Sequence, residues 1–174
     1  SPTPGTTFAW TSTADVGFGG SGSGNVGGYT VTSPVTSAVT TTVTINPTAN
    51  GCAGKEGKFT ITVNPTPRAS LPNPNQICAN STGVALNFSS ETPNTNFNWS
   101  SSNDIGFGTS GSGNINGGYR VINNSQDVLT ATISVVASTA NCTASAQQFT
   151  YRVNPTPGNP SAPSPIFYCN TAVA

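Results

Sequence analysis

Apolar residues alternate with Thr, Ser and Asn over several short stretches of this chain. The clearest is 128–137, VLTATISVVA, where Leu129, Ala131, Ile133, Val135 and Ala137 recur at every second place. Such period-two spacing predicts a strand with one buried and one wetted face. Similar stretches predict strands at 76–79, 84–89, 96–100, 118–122 and 148–154. Earlier in the chain, 39–46 and 58–64 carry the same pattern. Residues 105–118 read as a Gly/Ser-rich excursion with weak strand content. The last strand runs into Asn154-Pro155-Thr156-Pro157. Proline cannot donate to a ladder, so this motif predicts a strand stop and a linker. No apolar period of 3.6 is long enough to predict a helix.

The pattern recurs. FAWTSTADVGFGGSGSGNV at 8–26 matches FNWSSSNDIGFGTSGSGNI at 97–115, which aligns Trp10 with Trp99, Asp15 with Asp104 and Phe18 with Phe107. Gly27-Gly28-Tyr29 matches Gly117-Gly118-Tyr119, and Thr48-Ala49-Asn50-Gly51-Cys52 matches Thr139-Ala140-Asn141-Cys142. FTITVNPTP at 59–67 matches FTYRVNPTP at 149–157, and Cys78 matches Cys169. The repeat is about 90 residues, the size of one sandwich domain. The expected organisation is a partial repeat at 1–66 lacking its opening strands, a complete repeat at 67–157, and the opening strand of a next repeat at 158–174. A window on a longer array is expected to have this phase. Short strands, frequent turn signals and one Trp on the third strand predict an all-β fold: tandem immunoglobulin-like β-sandwich repeats.

Composition narrows the function classes. Charged residues are only 6% of the 174, with five acidic and five basic, and there is no His. Ordinary soluble domains carry roughly 25% charged residues. A neutral chain without a basic cluster lacks the footprint that nucleic acid or an anionic membrane surface requires. Without His, the commonest general base and metal ligand are missing. No run of about 18 apolar residues predicts a membrane-spanning helix. No signal-like start is present, so such a segment is expected outside these residues. Disorder does not follow from the low charge, because the chain is neutral, rich in Val and Thr, and holds eight Phe, four Tyr and two Trp.

Four cysteines invite disulfides: Cys52, Cys78, Cys142 and Cys169. In one arrangement Cys78 bonds Cys142 within the complete repeat, and the partners of Cys52 and Cys169 lie outside the chain or in a neighbour. In the other, Cys52 bonds Cys78 and Cys142 bonds Cys169 across the linkers. The first is preferred because a repeated module usually closes its own staple. Its loop of about 65 residues would stabilise a sandwich by roughly 3–4 kcal/mol. No CxxC spacing supports zinc.

Other candidate chemistry is thin. The loops 17–25 and 106–114 are Gly/Ser-rich, but a β pattern follows them rather than a helix, and no Lys is near, so no phosphate cradle is expected. Asp15 and Asp104 fit turn caps better than calcium ligands, since each repeat offers one carboxylate there. Glu91 and Asp104 could be set as a glycosidase pair, a poor one in a neutral, His-free repeat. No metal, cofactor or catalytic residue is expected. Sequons at Asn80, Asn87, Asn98, Asn123 and Asn141 are common in so Asn- and Thr-rich a chain. A glycan site would use exposed aromatics, and Phe18, Tyr29, Phe107 and Tyr119 are the candidates.

Ile77-Cys78, Phe97-Asn98-Trp99-Ser100, the Gly-Ser-Gly-Asn loop, Asn141-Cys142 and the closing Val-Asn-Pro-Thr-Pro together resemble the PKD-like repeats of very large Bacteroidetes surface and secreted proteins, including the gliding-motility adhesin type. The resemblance runs over essentially the whole chain. It departs from a regular pattern at the Gly missing between Asn141 and Cys142. It implies an immunoglobulin-like fold, export by the type IX route, a place outside the cell or on its surface, and no enzyme activity. The expected function is therefore that of a structural stalk or filament module in surface adhesion or gliding. A polysaccharide-binding module of a secreted protein is the alternative. Expected partners are neighbouring repeats, head-to-tail copies of the chain, and a surface polysaccharide. In a head-to-tail pair, residues 158–174 would complete residues 1–66 of the next copy, and Cys169 would meet Cys52 there, as Cys78 would meet Cys142.

Overall fold

A computed structural model describes residues 3–32, 36–74 and 76–161. Among them every regular element is a strand. The first sheet holds β1 (Thr7–Ser12), β2 (Ser21–Ser23), β3 (Val39–Ala49), β4 (Cys52–Ala53) and β5 (Gly57–Val63). Its order is β2-β1-β3-β4, and β5 also pairs with β3. The second sheet holds β6 (Ile77–Cys78), β7 (Asn96–Ser101), β8 (Ser110–Ser112), β9 (Leu129–Ser138) and β10 (Gln147–Asn154), in the order β6-β10-β9-β7-β8. All pairings are antiparallel except that of β6 with β10. The all-β prediction stands.

The two sheets share one register. Trp10 lies between Gly22 and Ile45, and Trp99 lies between Gly111 and Val135. Glycine is required beside each Trp, because a Cβ at Gly22 or Gly111 would enter the indole. The alternation in β9 does what the pattern predicts: Ala131, Ile133, Val135 and Ala137 are buried while the Thr and Ser between them are half-buried. Each fully buried Ile or Val stabilises by about 1.5–3 kcal/mol relative to leaving it in water.

Two predicted strands form only as isolated bridges. Residues 84–89 contribute Leu86 opposite Ile115 and Ser89 opposite Ser70, and residues 118–122 contribute Arg120 opposite Thr82. Side-chain capture and glycine explain this. The Phe88 amide donates to the Asn114 side chain at 2.8 Å instead of to a ladder carbonyl. Gly118 has φ +91°, which breaks the extended run. The segment 69–89 nevertheless closes the second core, placing Ala69, Ala79, Leu86 and Phe88 against Ile105, Val121, Ile133, Tyr151 and Val153.

No such segment lies over the first sheet among the described residues. Trp10, Val16, Thr41 and Val43 are buried, but the positions that 69–89 would cover are open. Val31 is 54% exposed where its counterpart Val121 is 0%, and Val26 is 37% exposed where Ile115 is 3%. Phe59 and Tyr29 stand open at 46% and 42%. Among the described residues, no strand pairs with the outer edge of β5, the counterpart of the edge where β6 joins β10.

Candidate functional site

The recurring Asp-[Val/Ile]-Gly-Phe-Gly stretch builds the same turn twice. Asp15 Oδ1 accepts the amides of Gly17 and Gly19, both at 2.8 Å. Asp104 Oδ1 accepts those of Gly106 and Gly108 at 2.8 and 2.9 Å. These amide bonds hold the Asp15 carboxyl below its ordinary range. Val16 and Ile105, next in sequence, are buried completely and anchor the loop. At Gly106 φ is +115°, and a Cβ would meet the Arg120 carbonyl oxygen, so only glycine fits. Both carboxylates are thus turn caps, as the sequence suggested. Among the described residues no group of three or more Cys, Asp or Glu side chains is placed to hold a metal ion.

The four candidate glycan-binding aromatics fall into two edge-to-face sets. Phe18 packs against Trp10 at 5.6 Å and Tyr29 at 5.1 Å, and Phe107 packs against Trp99 at 5.5 Å and Tyr119 at 5.3 Å. Such pairs are worth about 0.5–1.5 kcal/mol each beyond burial. Phe18, Phe107 and Tyr119 are half-buried in this packing. Tyr119 is further lidded by Gly83, where a Cβ would enter the phenol ring. Its hydroxyl is buried, with the Tyr151 phenol as its neighbour. Burial first, and then the neighbouring Tyr151, push its ionisation above the usual tyrosine range. Only Tyr29 presents an open ring, and it belongs to the uncovered face of the first sheet. The four do not form one stacking platform.

The cysteines stand differently from expectation. Cys52, Cys78 and Cys142 are free thiols, the first two exposed and the third half-buried; Cys169 lies outside the described residues. The preferred Cys78–Cys142 staple is not formed, and strand direction explains why. Cys78 pairs in parallel with Asn154, at the exit of β10. Cys142 lies before the entry of β10, with its amide on Thr139 Oγ1 at 3.2 Å. The β9–β10 hairpin between them is paired from Ala137 to Leu129, about 27 Å of strand. A disulfide needs Cα atoms within about 7 Å. Cys52 sits at the Ala49 end of β3, while the chain leaves the first sheet at the other end, beside Val39. A Cys52–Cys78 bond is therefore not formed either.

One thiol has a specific neighbour. Cys142 Sγ lies 3.8 Å from the carbonyl oxygen of Asn64, the residue that follows β5, and the Asn141 amide reaches the Asn64 side chain at 3.3 Å. These contacts join the end of the first sheet to the β9–β10 turn of the second. No signal in the sequence gave this contact, because it depends on how the 64–69 linker folds back.

The imagined acidic pair is not brought together. Glu91 lines an open recess of about 630 Å³ with Arg68, Ser70 and Ser90, before β7, whereas Asp104 follows β7. Six residues of strand separate them by about 20 Å, and glycosidase carboxylates sit about 5–9.5 Å apart. Of the sequon residues, Asn123 is buried and donates its amide to the Asp127 and Val153 carbonyls. No described helix is long and apolar enough to cross a membrane. No family model matches the chain, and no curated protein matches it.

Proposed function

We propose that the chain is a non-catalytic structural repeat of a large extracellular filament or adhesin, made of immunoglobulin-like modules in tandem. One observation carries the reading. The second sheet has its core closed by residues 69–89, and the first sheet has the same apolar face open. A module whose cover is supplied by a neighbouring opening segment suits an array, where each Asn-Pro-Thr-Pro linker leads straight into the next cover. The shared register of the two sheets supports the tandem arrangement, and the Asn64 contacts with Asn141 and Cys142 support a defined junction. The resemblance to PKD-like surface repeats adds the extracellular setting. The polysaccharide reading is weaker, because the one exposed aromatic of its four candidates belongs to the uncovered face.

Two measurements test this reading. Electron microscopy of a protein carrying several such repeats in series is expected to give thin rods whose length grows in equal steps per repeat. Antibody raised against residues 67–157 is expected to label intact cells of the source organism. Compact particles whose diameter ignores repeat number would overturn the filament reading. Labelling only after lysis would overturn the extracellular one.

A further inference from the structure

The open edge of β5 and the thiol of Cys142 meet at one atom. In the second sheet, the Asn154 carbonyl accepts the amide of Ala79, the residue after Cys78, at 2.9 Å. Cys78 itself stands opposite Asn154. Asn64 is the counterpart of Asn154, so its carbonyl is the acceptor that an incoming opening strand would use. That is the carbonyl against which Cys142 Sγ rests, at 3.8 Å. A strand added here in the β6 register would put its own cysteine opposite Asn64. Neighbouring strands lie about 4.8 Å apart, and a disulfide spans about 4.4–6.8 Å between Cα atoms. The thiol of Cys142 is thus stationed where that cysteine would arrive.

The segment of this chain that carries such a cysteine with no described strand partner is 162–174, whose Tyr168-Cys169 matches Ile77-Cys78. We infer that residues 162–174 of a second copy add to the β5 edge in parallel, and that Cys169 of that copy forms a disulfide with Cys142. This rests on the repeat reading above and names the partner of its open face. It replaces the expected meeting of Cys169 with Cys52, which sits at the opposite end of the first sheet. The incoming segment matches residues 71–83, whose amides and carbonyls bond Tyr119 and Val121; it brings main-chain hydrogen bonds to an edge with no described partner and reaches Tyr29 and Val31, as strand addition does elsewhere. A head-to-tail contact of this kind does not close on itself, so it propagates.

The covalent step needs an oxidant, and a small disulfide such as oxidised glutathione supplies it. The Cys142 thiolate attacks one glutathione sulfur, forming a mixed disulfide and releasing one glutathione thiolate. The Cys169 thiolate then attacks the Cys142 sulfur and releases the second. Two protons leave the cysteines and two electrons pass to glutathione, which ends as two reduced molecules.

Two experiments on the 174-residue chain separate the bond from the association. In reducing buffer, light scattering over a concentration series reads association alone. With oxidised glutathione at pH 8, non-reducing electrophoresis reads the bond. A ladder of covalent multimers is expected, with peptide mapping that joins the Cys142 and Cys169 peptides. C142S or C169S alone should lower the multimer fraction at least tenfold, and C52S and C78S should leave it unchanged. Mixing C142S with C169S should give a covalent dimer and nothing larger, because one supplies only the tail thiol and the other only the receiving thiol. Three results would overturn the inference: a ladder carried by Cys52 or Cys78, a Cys142–Cys169 bond confined to monomers, or multimers without a bond. The last would leave the assembly reading intact, whereas a chain that stays monomeric in both buffers would remove the assembly partner as well.

Discussion

Val31 and Val121 occupy the same place in the two sheets, yet one is 54% exposed and the other fully buried. Truncating each to Ala therefore measures how much the 69–89 cover contributes. Val121→Ala removes two methyl groups from a closed core. At about 0.8 kcal/mol per carbon the transfer loss is roughly 1.6 kcal/mol. The cavity left under Ala79 and Leu86 adds to this, for a total of about 2 kcal/mol. Val31→Ala removes the same atoms from a face that water already reaches. Less than half of the transfer loss applies and no enclosed cavity forms, so the cost is about 0.7 kcal/mol. Each sheet holds one Trp, so urea unfolding can be followed in a W10F background for the second and a W99F background for the first. With a slope of about 1 kcal/mol per molar urea for a unit of this size, the midpoint shifts by about 2 M for V121A and by less than 1 M for V31A. The measurement is made in dilute, reduced protein. Equal shifts would refute the reasoning, because they would mean that the first sheet's face is closed in the isolated chain. Raising the protein concentration should increase the cost of V31A and leave that of V121A unchanged.

Three further outcomes are expected. Gly111→Ala should destabilise the second sheet by about 1–3 kcal/mol and shift Trp99 emission, because the new methyl displaces the indole; unchanged emission would place the ring elsewhere. The Asp15 carboxyl should titrate below 3.8 by carbon-detected NMR. Its lowered folded pKa means that the turn's stabilisation is present above the unfolded value and lost as pH falls through the folded one, and a midpoint above 3.8 would contradict the two amide bonds. The Tyr119 and Tyr151 phenols, both raised by burial, should stay protonated at 295 nm after exposed tyrosines ionise. Because the unfolded chain releases those protons near pH 10, stability is intact below that pH and falls above it.

The repeat, the Trp strands and the alternation in β9 were legible in the sequence because each is a local, periodic signal. The caps at Asp15 and Asp104 were legible for the same reason. The strands expected at 84–89 and 118–122 were not, because Asn114 and Gly118 redirect their hydrogen bonds. The cysteine pairing failed at a different level. Spacing along the chain treats Cys78 and Cys142 as two ends of one module, which they are, but at opposite ends of the same hairpin. Only the parallel pairing of β6 with β10 places Cys78 at the exit, and parallel pairing leaves no mark in a two-residue strand. The Asn64–Cys142 contact depends on a linker bend that composition does not encode.

That parallel pairing has a mechanical consequence. The chain enters the second sheet near Ser70, which bonds Ser89, runs to Cys78 beside Asn154, and leaves from Asn154 itself. A pull on the two ends of this unit drags β6 and β10 in opposite directions along their common axis. Their hydrogen bonds are then loaded together, in shear, and must break at once rather than peel one by one. Tension along the chain is borne first by the contact that also completes the core.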